Sequence, residues 1–272
     1  MSMTLEDYEF VCELVRHSSA NVIGPGKEYL VESRLQNLLP DLGLVSIEQL
    51  VAQLRTKREP ALKQRVVEAM TTNETTFFRD ITPFDALRRD ILPELSVRKG
   101  DAPINIWCAA CSTGQEPYSI AMLLRDDFPE LAARRTYLLG TDIATNILER
   151  ARNGRFTQLE VNRGLPAHLL LRYFTKDGID WQLRDDVRRM VDFREANLIG
   201  TWPWMPKMDI IFLRNVLIYF DMETKQAILD RIYDSLAPGG YLFMGATETM
   251  FNLKTGFERV ELARAMCFRR ST

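Results

Sequence analysis

The stretch Trp107-Cys-Ala-Ala-Cys-Ser-Thr-Gly-Gln-Glu-Pro-Tyr118 decides the fold of this chain. It follows the apolar run Ile104–Trp107, and Pro117 within it is typical of the first turn of a helix. Ligands of doubly wound sheets bind at the carboxyl ends of strands, where small residues allow close backbone approach. Dinucleotide-binding proteins place three glycines in this turn, whereas one is present here. The turn therefore disfavours a pyrophosphate but still allows a nucleoside, with Glu116 at the pocket rim.

Short apolar or β-rich runs alternate with helical patterns over residues 104–244. Such alternation predicts a parallel sheet that helices cover on both faces. Near the end of the chain, residues 257–270 predict two extended pieces that return along one edge of the sheet, which is unlike a dehydrogenase. The five runs are Ile104–Trp107, Tyr137–Leu139, Arg189–Phe193, Ile210–Leu213 and Tyr241–Met244.

The residues before the sheet pattern predict short helices only. Thr4 with Asp7 resembles a capping box ahead of apolar residues at helical spacing, and Ser46 with Gln49 repeats the signal. We therefore predict a small all-helical domain over residues 1–80.

The remaining residues, 81–272, predict one α/β domain that carries an insertion. Lys176-Asp177-Gly178 is a turn signal between alternating apolar residues, so we expect a small β-hairpin subdomain at about residues 171–193.

Composition excludes several classes of protein. The 272 residues contain 35 Lys and Arg against 37 Asp and Glu, so the chain lacks the positive field that nucleic acid binding needs. Its longest apolar stretch, Met208–Phe220, is interrupted by polar residues and is shorter than the roughly 20 residues of a membrane-spanning helix. Only Cys108 and Cys111 of four cysteines are close in sequence, and neither histidine is near them, so we expect no metal site. A cytoplasmic protein is expected.

Polar residues follow successive predicted strands. Asp142 comes after the second strand, where a carboxylate can accept the hydroxyls of a ribose, although an aspartate there is also a common helix cap. Asn197 and Leu198 follow the third strand and can offer an amide and a backbone N–H to an adenine edge. Arg214-Asn215-Val216 follows the fourth. Each segment alone is consistent with an ordinary loop. Together with the turn after the first strand, however, four consecutive strand ends carry suitable groups, which favours a shared binding site.

Three motifs resemble the CheR family of chemotaxis receptor methyltransferases, and the resemblance extends over nearly the whole chain. They are Thr71-Thr-Asn-Glu-Thr-Thr-Phe-Phe-Arg79, Ser112-Thr-Gly-Gln-Glu-Pro-Tyr-Ser119 and Arg214-Asn-Val-Leu-Ile-Tyr-Phe220. The resemblance implies a class I methyltransferase-type doubly wound sheet with an antiparallel terminal strand. It also implies S-adenosylmethionine (SAM) as methyl donor, S-adenosylhomocysteine (SAH) as product, and no metal.

The resemblance also implies which residues bind the cofactor. For Asn73, Thr75 and Arg79, the alternative is that they belong to a polar interdomain linker anchored by Phe77 and Phe78. The implied cofactor-binding residues are Asn73, Thr75, Arg79, Glu116, Asp142, Asn197, Leu198, Arg214, Asn215 and Val216.

Arg79 and Tyr219 are our candidates for catalysis. We expect them to border the methyl-transfer point and to orient carboxylates through charge and through a hydroxyl. Core packing beside Phe220 is the alternative role for Tyr219.

The implied substrate is a glutamate side chain on the cytoplasmic helical domain of a chemotaxis receptor. The alternatives are a methyltransferase for another substrate, a non-catalytic cofactor-binding signalling module, and, disfavoured by the glycine pattern, a nicotinamide-dependent oxidoreductase. We expect a monomer without membrane insertion or nucleic acid binding, and a regulatory adaptor protein is a further partner that the resemblance allows.

Two surfaces are candidates for receptor binding. A basic run in the helical domain predicts docking to acidic receptor helices, although such a run is usually a solvated helix face, and Arg34 is a second candidate. Some family members add a receptor tail to the edge of the inserted hairpin. The turn Lys176–Asp180 looks shorter than in those members, so we do not expect tail binding here. The basic run consists of Arg55, Lys57, Arg58, Lys63 and Arg65.

Overall fold

A computed structural model of the chain describes residues 3–56, 59–134 and 136–271. These residues form two compact units. The helical unit contains the described residues before Asn73 together with the segment Tyr219–Lys225, and the sheet unit contains the others.

The helical unit is built from amphipathic helices around one core. Thr4 Oγ1 accepts a hydrogen bond from Asp7 N over 3.2 Å, and Ser46 Oγ accepts one from Gln49 N over 3.3 Å, so both predicted N-terminal caps are confirmed. The apolar face of each helix is buried, and Val11 at the centre is 0% exposed. The helices are α1 (Leu5–Ser19), α2 (Glu28–Leu42), α3 (Ile47–Thr56) and α4 (Pro60–Ala69).

Five strands of the sheet unit overlap the five predicted apolar runs, and its described residues form ten strands in all. They are β1 (Ile104–Ala109), β2 (Thr136–Asp142), β3 (Arg155–Thr157), β4 (Phe174–Asp177), β5 (Asp180–Leu183), β6 (Val191–Glu195), β7 (Met208–Leu213), β8 (Leu236–Met244), β9 (Phe257–Leu262) and β10 (Ala265–Arg270).

Seven strands form the large sheet in the order β6-β2-β1-β7-β8-β10-β9. The first five are parallel, and β10 runs antiparallel to both β8 and β9. The expected doubly wound sheet with an antiparallel terminal strand is confirmed. Every residue of β1 and β7 is buried, as expected for central parallel strands that helices cover on both faces.

Helices connect the parallel strands. Before β1, a five-residue π-helical stretch, Leu87–Ile91, joins the helices Thr82–Ala86 and Leu92–Lys99. The described helices of this part of the chain are α5 (Thr82–Ala86), α6 (Leu92–Lys99), α7 (Gln115–Asp127), α8 (Pro129–Arg134), α9 (Thr145–Asn153), α10 (Gln158–Asn162), α11 (Ala167–Tyr173), α12 (Asp185–Arg188) and α13 (Met222–Ser235).

The inserted hairpin is confirmed as the antiparallel pair β4 and β5, and a third strand extends it. Strand β3 pairs antiparallel with β5, with Phe156 opposite Trp181, to give the order β3-β5-β4. Sequence reasoning missed β3 because three residues are too few for an alternating pattern. Phe156 is 1% exposed and packs edge to face against Phe77 and Phe174.

Candidate functional site

The turn after β1 has an unusual backbone. Ala110, Ser112 and Gly114 have φ angles of 55°, 51° and 89°. Residues other than glycine rarely adopt this left-handed region, and such residues concentrate at ligand clamps and active sites. The turn lies at the carboxyl end of a central strand, where open α/β sheets bind their ligands. The backbone therefore supports the sequence prediction of a ligand site here.

Asp142 links the carboxyl ends of two neighbouring strands. Its Oδ2 accepts a hydrogen bond from Ser112 N over 2.8 Å, and its Oδ1 accepts one from Ala144 N over 3.1 Å. The residue is 6% exposed. Because β1 and β2 are adjacent and parallel, these bonds fix the carboxylate beside the turn after β1.

Arg214, directly after β7, is a buried cation at the centre of a charge cluster. Its Nη1 lies 2.8 Å from Glu116 Oε2, and its Nη2 lies 2.7 Å from Asp80 Oδ2. Nη2 also donates to the carbonyl oxygen of Arg79 over 2.9 Å. The guanidinium therefore ties the start of α7 to residues 79–80. Arg214 was predicted to bind the cofactor, and in the described structure its terminal nitrogens have protein partners.

Burial raises the pKa of the Glu116 carboxyl, and the adjacent Arg214 acts in the opposite direction. Burial likewise raises the pKa of the thiols of Cys108 and Cys111 well above their ordinary range. This burial favours the thiol over the thiolate at both cysteines.

The segment that carries Asn73, Thr75 and Arg79 is held by bonds along its backbone. Ser112 Oγ donates to Asn73 O over 2.9 Å, and Phe78 N donates to Ser119 Oγ over 2.9 Å. These bonds place the segment on α7 and on the turn that precedes it.

Two further residues of the same unit restrict this segment. Arg163 Nη2 lies 2.9 Å from Glu74 Oε1, and this charge lowers the pKa of Glu74. A Cβ atom on Gly164 would lie 2.1 Å from Phe77 O, so only glycine allows the two backbones to approach this closely. Arg79 Nη1 in turn donates to Glu74 O over 3.0 Å.

The loop after β6 is also held by hydrogen bonds. Asn197 Oδ1 accepts from Ile199 N over 3.2 Å, and Leu198 O accepts from Trp202 Nε1 over 3.1 Å and from Arg231 Nη1 over 2.8 Å. Together with Asp142 at the end of the adjacent β2 and Asn215 after β7, this loop lies at the carboxyl edge of the parallel strands. The predicted cofactor-binding residues thus all lie in the sheet unit, at or near this edge.

Tyr219 belongs to the helical unit, where its carbonyl oxygen accepts a hydrogen bond from Val22 N over 2.9 Å. Arg34 of the same unit donates to Thr71 O over 2.9 Å and to Thr72 Oγ1 over 3.0 Å. Burial lowers the pKa of Arg34, and the nearby Tyr219 acts in the opposite direction.

The basic run of the helical unit is partly neutralised. Arg55 forms ion pairs with Glu6 and Asp7 over 2.8 and 3.1 Å, and Arg65 forms one with Asp41 over 3.1 Å. These two arginines therefore contribute less to an uncompensated basic face than the sequence pattern indicates. Lys57 and Arg58, which the same prediction included, lie outside the described residues.

Among the described residues, no group of three or more His, Cys, Asp and Glu side chains could hold a metal ion. No helix among these residues is long and apolar enough to cross a membrane.

Two family models match the chain. CheR methyltransferase, all-alpha domain, matches residues 6–71, and CheR methyltransferase, SAM binding domain, matches residues 73–266. The chain belongs to the CheR methyltransferase family. This CheR-family chain is 39% identical to chemotaxis protein methyltransferase 1 of Pseudomonas aeruginosa, over 99% of each chain. It is 36% identical to chemotaxis protein methyltransferase Cher2 of Pseudomonas putida, over 96% of this chain and 97% of that protein.

A third relative is chemotaxis protein methyltransferase 1 of Vibrio cholerae, which is 40% identical over 95% of each chain. The chain thus carries the SAM-binding domain of the CheR family, and the suspected family, fold class and cofactor are confirmed.

The residues at the sheet edge fit SAM. The left-handed turn after β1 permits close approach of a nucleoside, and Asp142 supplies a fixed carboxylate suited to ribose hydroxyls. Within the described residues, Arg214 Nε is buried without a hydrogen-bond partner, so the charge cluster retains one donor for an acceptor. The donor set is oxygen-rich and carries both signs of charge, as a zwitterionic amino-acid group requires.

Sequence reasoning missed several residues of this edge. Asp80, Ser119, Arg163 and Glu248 make bonds that join distant parts of the chain. Glu248 carried the clearest local signal, since it is an acid in the loop directly after the fifth parallel strand.

Proposed function

We propose that the chain transfers the methyl group of SAM to glutamate side chains of chemotaxis receptors in the cytoplasm, giving glutamate methyl esters. The observation that carries the proposal is the similarity, over 99% of both chains, to a protein named as a chemotaxis methyltransferase. The cluster of polar groups at the carboxyl edge of the sheet supports it, because open α/β sheets bind their ligands at this edge.

The proposed reaction needs no general base. A glutamate carboxyl has an ordinary pKa of about 4.3, so at neutral pH the acceptor oxygen is already ionised. When bound, SAM supplies a methyl group on a cationic sulfonium, whose sulfur keeps the electron pair as the carbon bonds to the carboxylate oxygen. Opposite charges are neutralised in this step, so a pocket that excludes water favours it.

The main task of the protein residues is alignment. Holding the attacking oxygen, the methyl carbon and the sulfur in line can contribute about 7–11 kcal/mol in favourable systems. We propose that Asp142 holds the ribose, that Asn197 and Leu198 contact the adenine edge, and that Asn215 and Val216 lie beside it. Arg79 orients the carboxylates, and its backbone is fixed for this task by Arg214.

Tyr219 is the second proposed catalytic residue. Its hydroxyl is suited to donating a hydrogen bond to the acceptor carboxylate and thereby fixing the direction of attack. Asn73, Thr75, Glu116, Asn197, Leu198 and Arg214 complete the proposed cofactor site, with Glu116 and Arg214 acting as one ion pair.

We further propose that the helical unit recognises the receptor, which presents its glutamates on long helices. A separate helical domain before the SAM-binding domain is consistent with a macromolecular substrate rather than a small molecule. Because Arg55 and Arg65 already have acidic partners, Lys63 and Arg34 are the better supported contacts within the described part of the unit.

The test is transfer of a labelled methyl group to the cytoplasmic domain of a receptor. The proposal expects label on the receptor that alkali releases as methanol, because esters hydrolyse in base and methylated amines do not. A base-stable label would indicate another acceptor group. Binding of SAH without any transfer would indicate a non-catalytic signalling module.

A further inference from the structure

Glu248 folds back onto the start of its own loop. The loop follows β8, and Glu248 N donates to Gly245 O over 2.9 Å, which closes a turn. The side chain of Glu248 then returns to the same residue, where Oε2 accepts a hydrogen bond from Gly245 N over 2.7 Å. The turn from Gly245 to Glu248 therefore helps to fix the position of the carboxylate.

The same carboxylate binds three consecutive backbone N–H groups of the loop after β7. Its Oε2 accepts from Asn215 N over 2.8 Å, and its Oε1 accepts from Val216 N over 3.0 Å and from Leu217 N over 2.7 Å. Asn215 has a φ of 58°, and successive N–H groups that begin at a left-handed residue converge on an anion. Here the anion is a side chain of the chain itself.

Gly245 allows this contact sterically. A Cβ atom at this position would lie 2.6 Å from Asn215 Nδ2, 2.8 Å from Asn215 N and 2.8 Å from Glu248 Oε2. Contacts this short require atoms to move, so a side chain here would displace the loop, the carboxylate or both. Gly245 thus leaves room for Asn215 and for the Glu248 carboxylate that binds the loop.

We infer that Glu248 is a positioning residue for the cofactor. Asn215 and Val216 are proposed to bind SAM, so this inference rests on the proposed function. The backbone N–H groups of both residues are held by Glu248, and the loop leads directly along the chain to Tyr219. The carboxylate acts through the loop, without contact with the reacting atoms, and sets where the side chains of Asn215 and Val216 lie.

Replacing Glu248 with Gln tests this inference. The amide has one acceptor oxygen in place of two, and its NH₂ group would face backbone donors, so the loop should move. We expect the Kd for SAH to rise about tenfold or more, in line with the loss of charged hydrogen bonds. Gly245→Ala, whose methyl group would displace Asn215 or the carboxylate, should raise the Kd similarly. Glu248→Asp keeps the carboxylate and should bind SAH more tightly than Glu248→Gln.

The matched control is Glu160→Gln. The carboxylate of Glu160 also accepts a hydrogen bond from a backbone N–H, that of Thr157, over 2.9 Å. Glu160 lies in α10, which directly follows β3 of the three-stranded sheet. Its Kd for SAH should stay within twofold of wild type. The KM for receptor should stay within twofold in all variants, because a positioning role for the cofactor does not alter receptor docking.

An unchanged Kd for SAH in folded Glu248→Gln protein would overturn the inference. So would a loss of binding that only matches the fraction of unfolded protein, measured by circular dichroism at the same temperature. SAH binding is measured without a receptor, so these outcomes are distinct from failure of the proposed function, in which wild-type protein binds SAH and methylates no receptor.

Discussion

Nη1 of Arg214 lies 2.8 Å from Oε2 of Glu116, and the two side chains are only 2% and 12% exposed. Removing one partner of a buried ion pair leaves an uncompensated charge, at a cost of about 3–5 kcal/mol. We therefore expect Arg214→Met to lower the free energy of unfolding by about that amount in urea titrations. The exposed pair of Arg16 and Asp221 provides the control, since Arg16→Met should change stability by less than about 1 kcal/mol. Equal losses in the two variants would contradict the prediction.

The raised pKa of Glu116 predicts a pH dependence of stability. A carboxyl whose pKa is higher in the folded than in the unfolded state binds its proton more tightly when folded. Its stabilising contribution is complete below the unfolded pKa and is lost as pH rises through the folded pKa. The free energy of unfolding of wild type relative to Glu116→Gln should therefore increase as pH falls from neutral through the folded pKa of Glu116. Urea unfolding at several pH values measures the difference, and a constant difference would count against the assignment.

Replacing Asp142 with Ala should weaken SAH binding by tenfold or more. The variant loses the proposed ribose contact and releases Ser112 N and Ala144 N, and hydrogen bonds to charged groups contribute about 1.5–3 kcal/mol each. Calorimetry gives the Kd. Asp185→Ala, which removes an exposed partner of Arg188, should bind SAH normally. Normal binding by the Asp142 variant would remove that residue from the proposed site.

Local signals predicted much of this architecture. The apolar runs identified the large-sheet strands, because buried parallel strands are continuously apolar. Asp142 and Asn215 were predicted as site residues because they follow such runs, and this assignment stays a prediction. The CheR motifs then identified residues 73–79, which the local pattern alone would have assigned to a linker.

Contacts between distant residues could not be predicted in this way. Asp80 meets Arg214 across 134 positions of sequence, Arg163 meets Glu74 across 89, and Glu248 meets Asn215 across 33. No periodicity encodes such a pairing, because it depends on which strand ends are neighbours in the sheet. The pairing of Arg55 with Glu6 was missed for the same reason, so the charge of Arg55 looked uncompensated in the sequence.

Tyr219→Phe separates catalysis from packing. The variant keeps the ring and loses the hydroxyl, so a residue that only packs should tolerate the change. If the hydroxyl orients the acceptor carboxylate, kcat for receptor methylation should fall tenfold or more while the Kd for SAH stays within twofold. Initial rates with saturating SAM and receptor give kcat. Wild-type turnover in the variant would exclude the tyrosine hydroxyl from the mechanism.

The inserted hairpin predicts that no receptor tail tethers this protein. Only Gly178 and Ile179 separate β4 from β5, and Asp177 pairs directly with Asp180, so the turn has no additional residues with which to hold an extended peptide. Strand β4 lies at an edge of the small sheet, and tail binding there would add a strand to it. We expect a receptor and the same receptor without its C-terminal tail to be methylated with KM values within twofold. As a direct check, a peptide of the tail sequence should leave the hydrogen exchange of residues 174–177 unchanged. Protection of these amides, together with a KM that rises tenfold on tail removal, would establish a tether despite the short turn.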